Sequence, residues 1–131
     1  MICLDSDFII DFFRGKEAVV AQMEKLKDDA PAVAAITAFE VLYGFFRRNE
    51  PAKVQAAIDF FSSLKILDTT LEAANEAARI AGELARQGQM VNEFDSLIAG
   101  SMLANGCKSI ATSNVKDFGR IKEVSVRSPQ S

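Results

Sequence analysis

The stretch Ile2-Cys3-Leu4-Asp5-Ser6-Asp7-Phe8-Ile9-Ile10-Asp11 decides how the rest of the chain is read. Three apolar residues stop at a carboxylate, and a second apolar run begins at once with a different spacing. The first run reads as a short buried strand. The second reads as a helix over 6–13, ended by Gly15. A strand that passes straight into a helix, with an acid at the junction, is the opening unit of an alternating α/β chain. Further on, Val19, Met23 and Leu26 predict a helix within 16–29, which Pro31 stops. Residues 32–36 make a second buried strand. Phe39, Leu42 and Phe46 mark a helix over 37–48, and Pro51 opens the next, with Val54, Ile58 and Phe61 on one stripe. A brief strand is predicted at 65–67, an Ala-rich helix over 70–87 with Gly88 as its stop, and a helix over 94–105 closed by Gly106. Strands at 109–112 and 123–127 complete the set, and a polar tail expected to be loose follows. Short buried strands alternating with helices predict an α/β fold: three layers, α/β/α, around a mainly parallel sheet of four to five strands. With 131 residues and no linker, repeat or low-complexity run, a single domain over 1–131 is expected.

Composition narrows the chemistry. The chain has no His, which removes Ser/His/Asp triads, Cys/His dyads and most transition-metal sites. Net charge is −3, which argues against sequence-blind wrapping of duplexes. The two Cys, Cys3 and Cys107, lie in or beside apolar runs and read as reduced thiols of a cytoplasmic protein. No signal peptide or membrane-spanning run is visible.

In open parallel sheets, ligands bind outside the carboxyl ends of the strands. Asp5 follows the first strand, Glu40 stands early in the helix after the second, and Asp95 opens the helix that leads to the fourth. Thr112, Ser113, Asn114 and Asp117 follow that fourth strand. Each has an ordinary explanation. Asp5 or Ser6 can cap a helix, Thr37-Ala38-Phe39-Glu40 is a capping-box pattern, and Asp95 suits a helix N-terminus. Taken together they predict one acidic cleft, where carboxylates raise one another's pKa unless a cation intervenes. Oxygen donors without His or Cys point to Mg²⁺ or Mn²⁺, and the chemistry implied is phosphodiester hydrolysis.

Four segments carry a family resemblance: Leu4-Asp5-Ser6-Asp7-Phe8-Ile9-Ile10-Asp11, Thr37-Ala38-Phe39-Glu40-Val41-Leu42-Tyr43-Gly44, Asn92-Glu93-Phe94-Asp95-Ser96-Leu97-Ile98-Ala99 and Thr112-Ser113-Asn114-Val115-Lys116-Asp117-Phe118. In order and spacing they resemble the motifs of PIN domains, and the whole chain is similar to stand-alone VapC-like toxins. The resemblance implies a Mg²⁺- or Mn²⁺-dependent endoribonuclease, an RNA substrate, a cognate VapB-like antitoxin and a homodimer. It makes Asp5 and Asp95 the main metal ligands, assisted by Glu40. Ser6 supports them, and Thr112 or Ser113 orients a ligand or the attacking water. Asn114 stands where many relatives have Asp, so the fourth acidic role falls to Asp117 or Asn114. Gly100 and Ser101 replace commoner Ala residues, a difference expected to affect helix stability more than chemistry.

Two other readings follow from the same residues. Asp5-Ser6-Asp7 resembles the Asp-x-Asp pair of haloacid-dehalogenase-type phosphatases, without the later acidic pair and Lys they need. The incomplete fourth motif allows a PIN-like scaffold that binds RNA or protein without cutting. Lys116 and Arg120, with Arg14 as a further candidate, are expected to contact RNA phosphates. Phe45, Phe46, Phe60 and Phe61 form two neighbouring pairs on consecutive helices. Adjacent helical residues do not share a face, so an apolar interface for a second copy or an antitoxin is expected there.

Overall fold

The computed structural model describes residues 1–129. Its core strand is β1 (Ile2–Leu4), buried at all three residues. From it the chain runs through α1 (Ser6–Phe13), α2 (Glu17–Leu26), β2 (Pro31–Ala34), α3 (Ala35–Arg47), α4 (Pro51–Ser62) and β3 (Lys65–Leu67). It continues through α5 (Leu71–Arg86), α6 (Glu93–Ala104), β4 (Ser109–Ala111), α7 (Val115–Phe118) and β5 (Ser125–Arg127). The five strands form one sheet in the order β3-β2-β1-β4-β5, and every neighbouring pair is parallel.

Period-two alternation assigns the layers. Cys3, Ala32, Ala34, Leu67 and Ile110 face a cluster built with Ile80 and Leu84 of α5, Ile98 and Met102 of α6, and Phe118 of α7. Ile2, Leu4, Val33 and Ala111 face the opposite cluster, with Phe8 and Ile9 of α1, Val19 of α2, Val41 and Phe45 of α3, and Phe61 of α4. This is the expected α/β/α sandwich, with burial on both faces explaining why the inner strands β1, β2 and β4 are mostly apolar. Strand order reverses between β1 and β4, so their carboxyl ends flank the crevice of the sheet. Among the described residues no helix is long and apolar enough to cross a membrane.

Several boundaries differ from expectation. Pro31 opens β2 instead of stopping a helix, a position where its missing N–H costs little. The second strand ends at Ala34, and α3 starts without a linking loop. Thr37 is therefore no N-cap. That place belongs to Ala34, which makes no side-chain cap, and Thr37 is fully buried with its hydroxyl oxygen unpartnered. The capping-box reading fails, and Glu40 sits one turn deeper in the helix. The tail is not loose throughout, since Pro129 is buried; its last two residues lie outside those described.

Gly100 matters for packing, not only for helix propensity. A Cβ there would lie 2.3 Å from the Ala73 carbonyl oxygen and 2.7 Å from Ala77. Its absence lets α6 press directly onto the α5 backbone, and that contact positions the helix carrying Asp95.

Candidate active site

At the carboxyl end of β1, Asp5 receives the α1 N-terminus: Oδ1 accepts from the Ser6 N–H at 2.8 Å. Its other oxygen, Oδ2, accepts from the Thr112 hydroxyl at 2.7 Å. Thr112 is fully buried just past β4, and its Oγ1 also accepts from the Asn114 N–H at 2.9 Å. The hydroxyl proton is thereby directed at Asp5. In the first turn of α1, Asp7 lies beside it. Asp7 Oδ2 accepts from the Ser113 N–H at 3.1 Å, while Oδ1 is buried without a partner.

The opposite wall comes from α6 and α7. Asn92 caps α6 by accepting the Phe94 N–H at 2.8 Å, which places Asp95 in the first helical turn. The Asn114 amide donates to Asp95 Oδ2 at 2.9 Å. Asn114 also caps α7, its Oδ1 accepting the Asp117 N–H at 3.2 Å. Glu40 of α3 closes the third side. Asp5, Asp7, Glu40, Asp95 and Asp117 thus line one open cleft of about 310 Å³, with Ser6, Asn92, Phe94 and Asn114 among its walls.

This crowding shifts the acids. Burial, then the charge of Asp7, pushes Asp5 up to about 6. Burial, then the charges of Asp5 and Asp7, pushes Glu40 up to about 7. Asp95 and Asp117 are neighbouring acids in this cleft. Burial, then the adjacent Asp117 carboxyl, raises Asp95, whereas Asp117, beside Asp95 and the Asn92 and Asn114 donors, is held below the usual range.

Among the described residues no three of these acids are already drawn onto one point as metal ligands. Asp5 and Asp95 are turned instead onto Thr112 and Asn114. The donor set nevertheless fits a hard divalent cation. It is oxygen-only, four of its five acids are held above their ordinary range, first by burial and then by neighbouring acids, and buried Glu40 Oε1 and Asp7 Oδ1 have no partner. A cation would supply the missing compensation.

The cleft gathers Asp5, Glu40, Asp95 and Asp117, with Ser6 and Asn114 in its walls and Thr112 and Ser113 holding Asp5 and Asp7 in place. Sequence reasoning left Asp7 outside the site, although the Asp-x-Asp pattern after a strand marked it, and missed Asn92 and Phe94. The helix-opening pattern Asn92-x-x-Asp95 was the available signal for Asn92. Arg120 donates to the Met90 carbonyl at 3.0 Å, and its charge helps keep Asp117 ionised. Lys116, on the same short helix as Asp117, is exposed. Arg14 is corrected: it lies past the far end of α1 from Asp5, 3.9 Å from Asp11, and does not line the cleft.

The expected Phe interface is corrected as well. Phe45 and Phe61 are buried core residues, and Phe60 packs on Phe12 and Phe13. Burying such a ring stabilises the fold by about 2–3 kcal/mol, so the core claims it first. Phe46 alone of the four stays largely exposed.

Comparison with known proteins agrees with this geometry. The PIN domain family model matches residues 2–124. The chain is 33% identical over 119 residues to the tRNA(fMet)-specific endonuclease VapC of Shigella flexneri, covering 90% of this chain and 89% of that one. It is 29% identical over 124 residues to the protein of that name from Salmonella typhimurium, covering 94% and 93%. Among solved structures, a DNA-bound VapBC complex from Salmonella typhimurium contains a chain that superposes with a TM-score of 0.83 at 27% identity, covering 98% of this chain and 97% of that one.

Proposed function

The chain belongs to the PIN-domain family, and on that premise we propose that it is an endoribonuclease of the VapC kind, the toxin of a toxin–antitoxin pair, cutting RNA with Mg²⁺ or Mn²⁺. The observation that carries the reading is the convergence of Asp5, Glu40, Asp95 and Asp117, from four separate parts of the sequence, on one open cleft at the switch point of the sheet. The haloacid-dehalogenase alternative falls with the family assignment.

Asp5, Asp95 and Glu40 are the residues to hold the cation, which when bound lowers the pKa of water and stabilises phosphoryl oxygens. Thr112 orients Asp5 by donating to Oδ2 while its own oxygen is fixed by the Asn114 N–H. Asp117, held below its usual range beside Asp95, keeps a negative charge at the edge of the cation site. Asn114 donates to Asp95 and accepts the Asp117 N–H, and so works as a positioning residue. Lys116 and Arg120 lie on the flank where an RNA backbone entering the cleft passes.

Relatives named as tRNA(fMet)-specific endonucleases make initiator tRNA the first substrate to try. The VapBC complex among the structural neighbours supports a cognate antitoxin as the partner that covers the cleft. A homodimer is part of the same proposal, testable by light scattering.

Purified chain incubated with tRNA should cleave it when Mg²⁺ or Mn²⁺ is supplied and stop when chelator is added. Asp5→Asn keeps the side-chain shape and should abolish cleavage with an unchanged circular dichroism spectrum; cleavage at the wild-type rate would refute the site. The donor amide of Asn114 on Asp95 favours one other reading, a cation-binding PIN scaffold that does not cut. Metal binding by calorimetry without turnover on tRNA or ribosomal RNA would decide for it.

A further inference from the structure

The cleft has an aromatic rim that the hydrolytic chemistry leaves unused. Phe39 immediately precedes Glu40, and its ring stacks on Tyr43 at 5.9 Å between centroids with 22° between planes. On its other side Phe39 meets Phe94 edge-on at 6.2 Å, and Phe94 lines the acidic cleft. All three are substantially exposed, at 55%, 57% and 41%. Exposed singly, apolar side chains are ordinary; three rings joined through Phe39 at the edge of a polar cleft are not.

We propose that Phe39, Tyr43 and Phe94 form a stacking platform for an unpaired base of the RNA, next to the phosphate that enters the cleft. The proposal rests on the ribonuclease reading and adds a binding element to it. Charge favours a base as occupant. The chain carries −3 overall and five acids around the reaction centre, so phosphate attraction alone holds RNA poorly. Base stacking on aromatic faces supplies affinity that needs no positive surface and tolerates any sequence. Continuity points the same way: the platform joins the cleft through Phe94, which lines it and touches Phe39, so a base stacked there belongs to a nucleotide flanking the scissile bond.

The fold contains its own control. Phe46 continues the α3 stripe seven residues beyond Phe39, about 10 Å along the helix and away from the cleft, and is 65% exposed. A protein partner or second copy lying along α3 would use Phe46 as well as Phe39 and Tyr43. A single base at the cleft would not reach it.

The experiment compares Phe39→Leu, Tyr43→Leu, Phe94→Leu and Phe46→Leu with wild type on a short single-stranded oligoribonucleotide containing the cleaved sequence. Leucine keeps the apolar contact and removes the π face. The first three should raise KM about five-fold or more each with kcat within two-fold, while Phe46→Leu stays at wild type. Tyr43 is the only Tyr in a chain without Trp, so its fluorescence reports directly. It should be quenched by the oligoribonucleotide and not by one made abasic throughout. Quenching without cleavage would uphold the platform and overturn the nuclease. Cleavage with unchanged KM in all three variants and no quenching would overturn the platform and leave the nuclease standing. Loss of self-association or of antitoxin binding in all four Leu variants, with KM unmoved, would assign the stripe to a protein and also overturn it.

Discussion

Two acidic clusters lie on this molecule, and they are built in opposite ways. On α5, Arg79 stands among Glu76, Glu83 and Glu123, its guanidinium 2.9 Å from Glu76, 3.4 Å from Glu83 and 2.5 Å from Glu123. Burial pushes Glu123 up, but the Arg79 hydrogen bond and charge outweigh it and hold it below its usual range. In the cleft, Asp5, Glu40 and Asp95 have no cationic side chain among them, and all three are pushed up. One cluster carries its counter-ion in the sequence. The other keeps its acids buried, mutually repelling and partly unpartnered, an arrangement that costs stability unless something positive is supplied from outside.

The comparison breaks most sharply if a cation is written into the cleft. Glu40→Lys places an ammonium beside Asp5 and Asp95 and makes the cleft resemble the Arg79 cluster. Divalent-ion binding by calorimetry and RNA cleavage should both fall by roughly a hundred-fold or more, while the metal-free chain gains thermal stability. Retained cleavage would show that the carboxylates do not act as a cation site. A mechanical break comes next. Gly100→Ala drives a methyl group into the Ala73 carbonyl and Ala77, so α6 must move off α5. The expected loss is about 1–3 kcal/mol in urea unfolding, together with weaker ion binding, because Asp95 rides on the displaced helix. Arg79 sits on α5 itself, so its ion pairs should survive.

The acid–base consequence is smaller and has a definite sign. Asp5 and Glu40 keep protons in the folded chain up to about pH 6 and 7, whereas the unfolded chain releases them near 3.8 and 4.5. Between those values the folded state binds more protons, so stability falls as pH rises. In chelator, the melting temperature should decline from pH 5 to pH 7.5, with Asp5 alone contributing on the order of 2 kcal/mol. The lowered acids Asp117 and Glu123 are ionised in both states across that window and do not offset it. Mg²⁺ or Mn²⁺ should flatten the decline, and Asp5→Asn should reduce it without metal. A metal-free melting curve flat across this range would contradict the crowding.

The same contrast explains what the sequence could and could not show. β1, α1 and Asp5 were legible because an apolar run ending at an acid is a local pattern, and β3 and α4 came from Lys65–Leu67 and Pro51 in the same way. Glu40 was placed in the right cleft, but its depth in α3 and its ordinary explanation as a capping-box acid were wrong. The capping box around Thr37 looked sound, but β2 runs straight into α3, and only the tertiary path reveals that Ala34 is the cap. Phe45 and Phe61 looked available for an interface because spacing cannot tell which neighbour of a pair wins the core. Asp7 was visible as a motif yet lacked a role until Ser113 and Thr112 were seen to hold it. Gly100 read as a weak helix residue, since nothing local announces that α5 lies 2.3 Å from the missing methyl.

The smallest effect belongs to the cluster that already has its cation. Arg79 and its glutamates are all roughly one-third exposed, so solvent screens them and each pair contributes only about 0.2–1 kcal/mol. Arg79→Met should therefore cost about 1 kcal/mol or less in urea unfolding at low salt, and less still at 1 M NaCl, where charges a few ångströms apart are screened. RNA cleavage and ion binding should not change, because the freed glutamates lie at the surface and can spread into water. Should the methionine variant instead acquire a divalent-ion site or lose cleavage, the distinction would fail: surface acids without a counter-ion would then behave as the buried ones do, and burial would no longer be what sets the cleft apart.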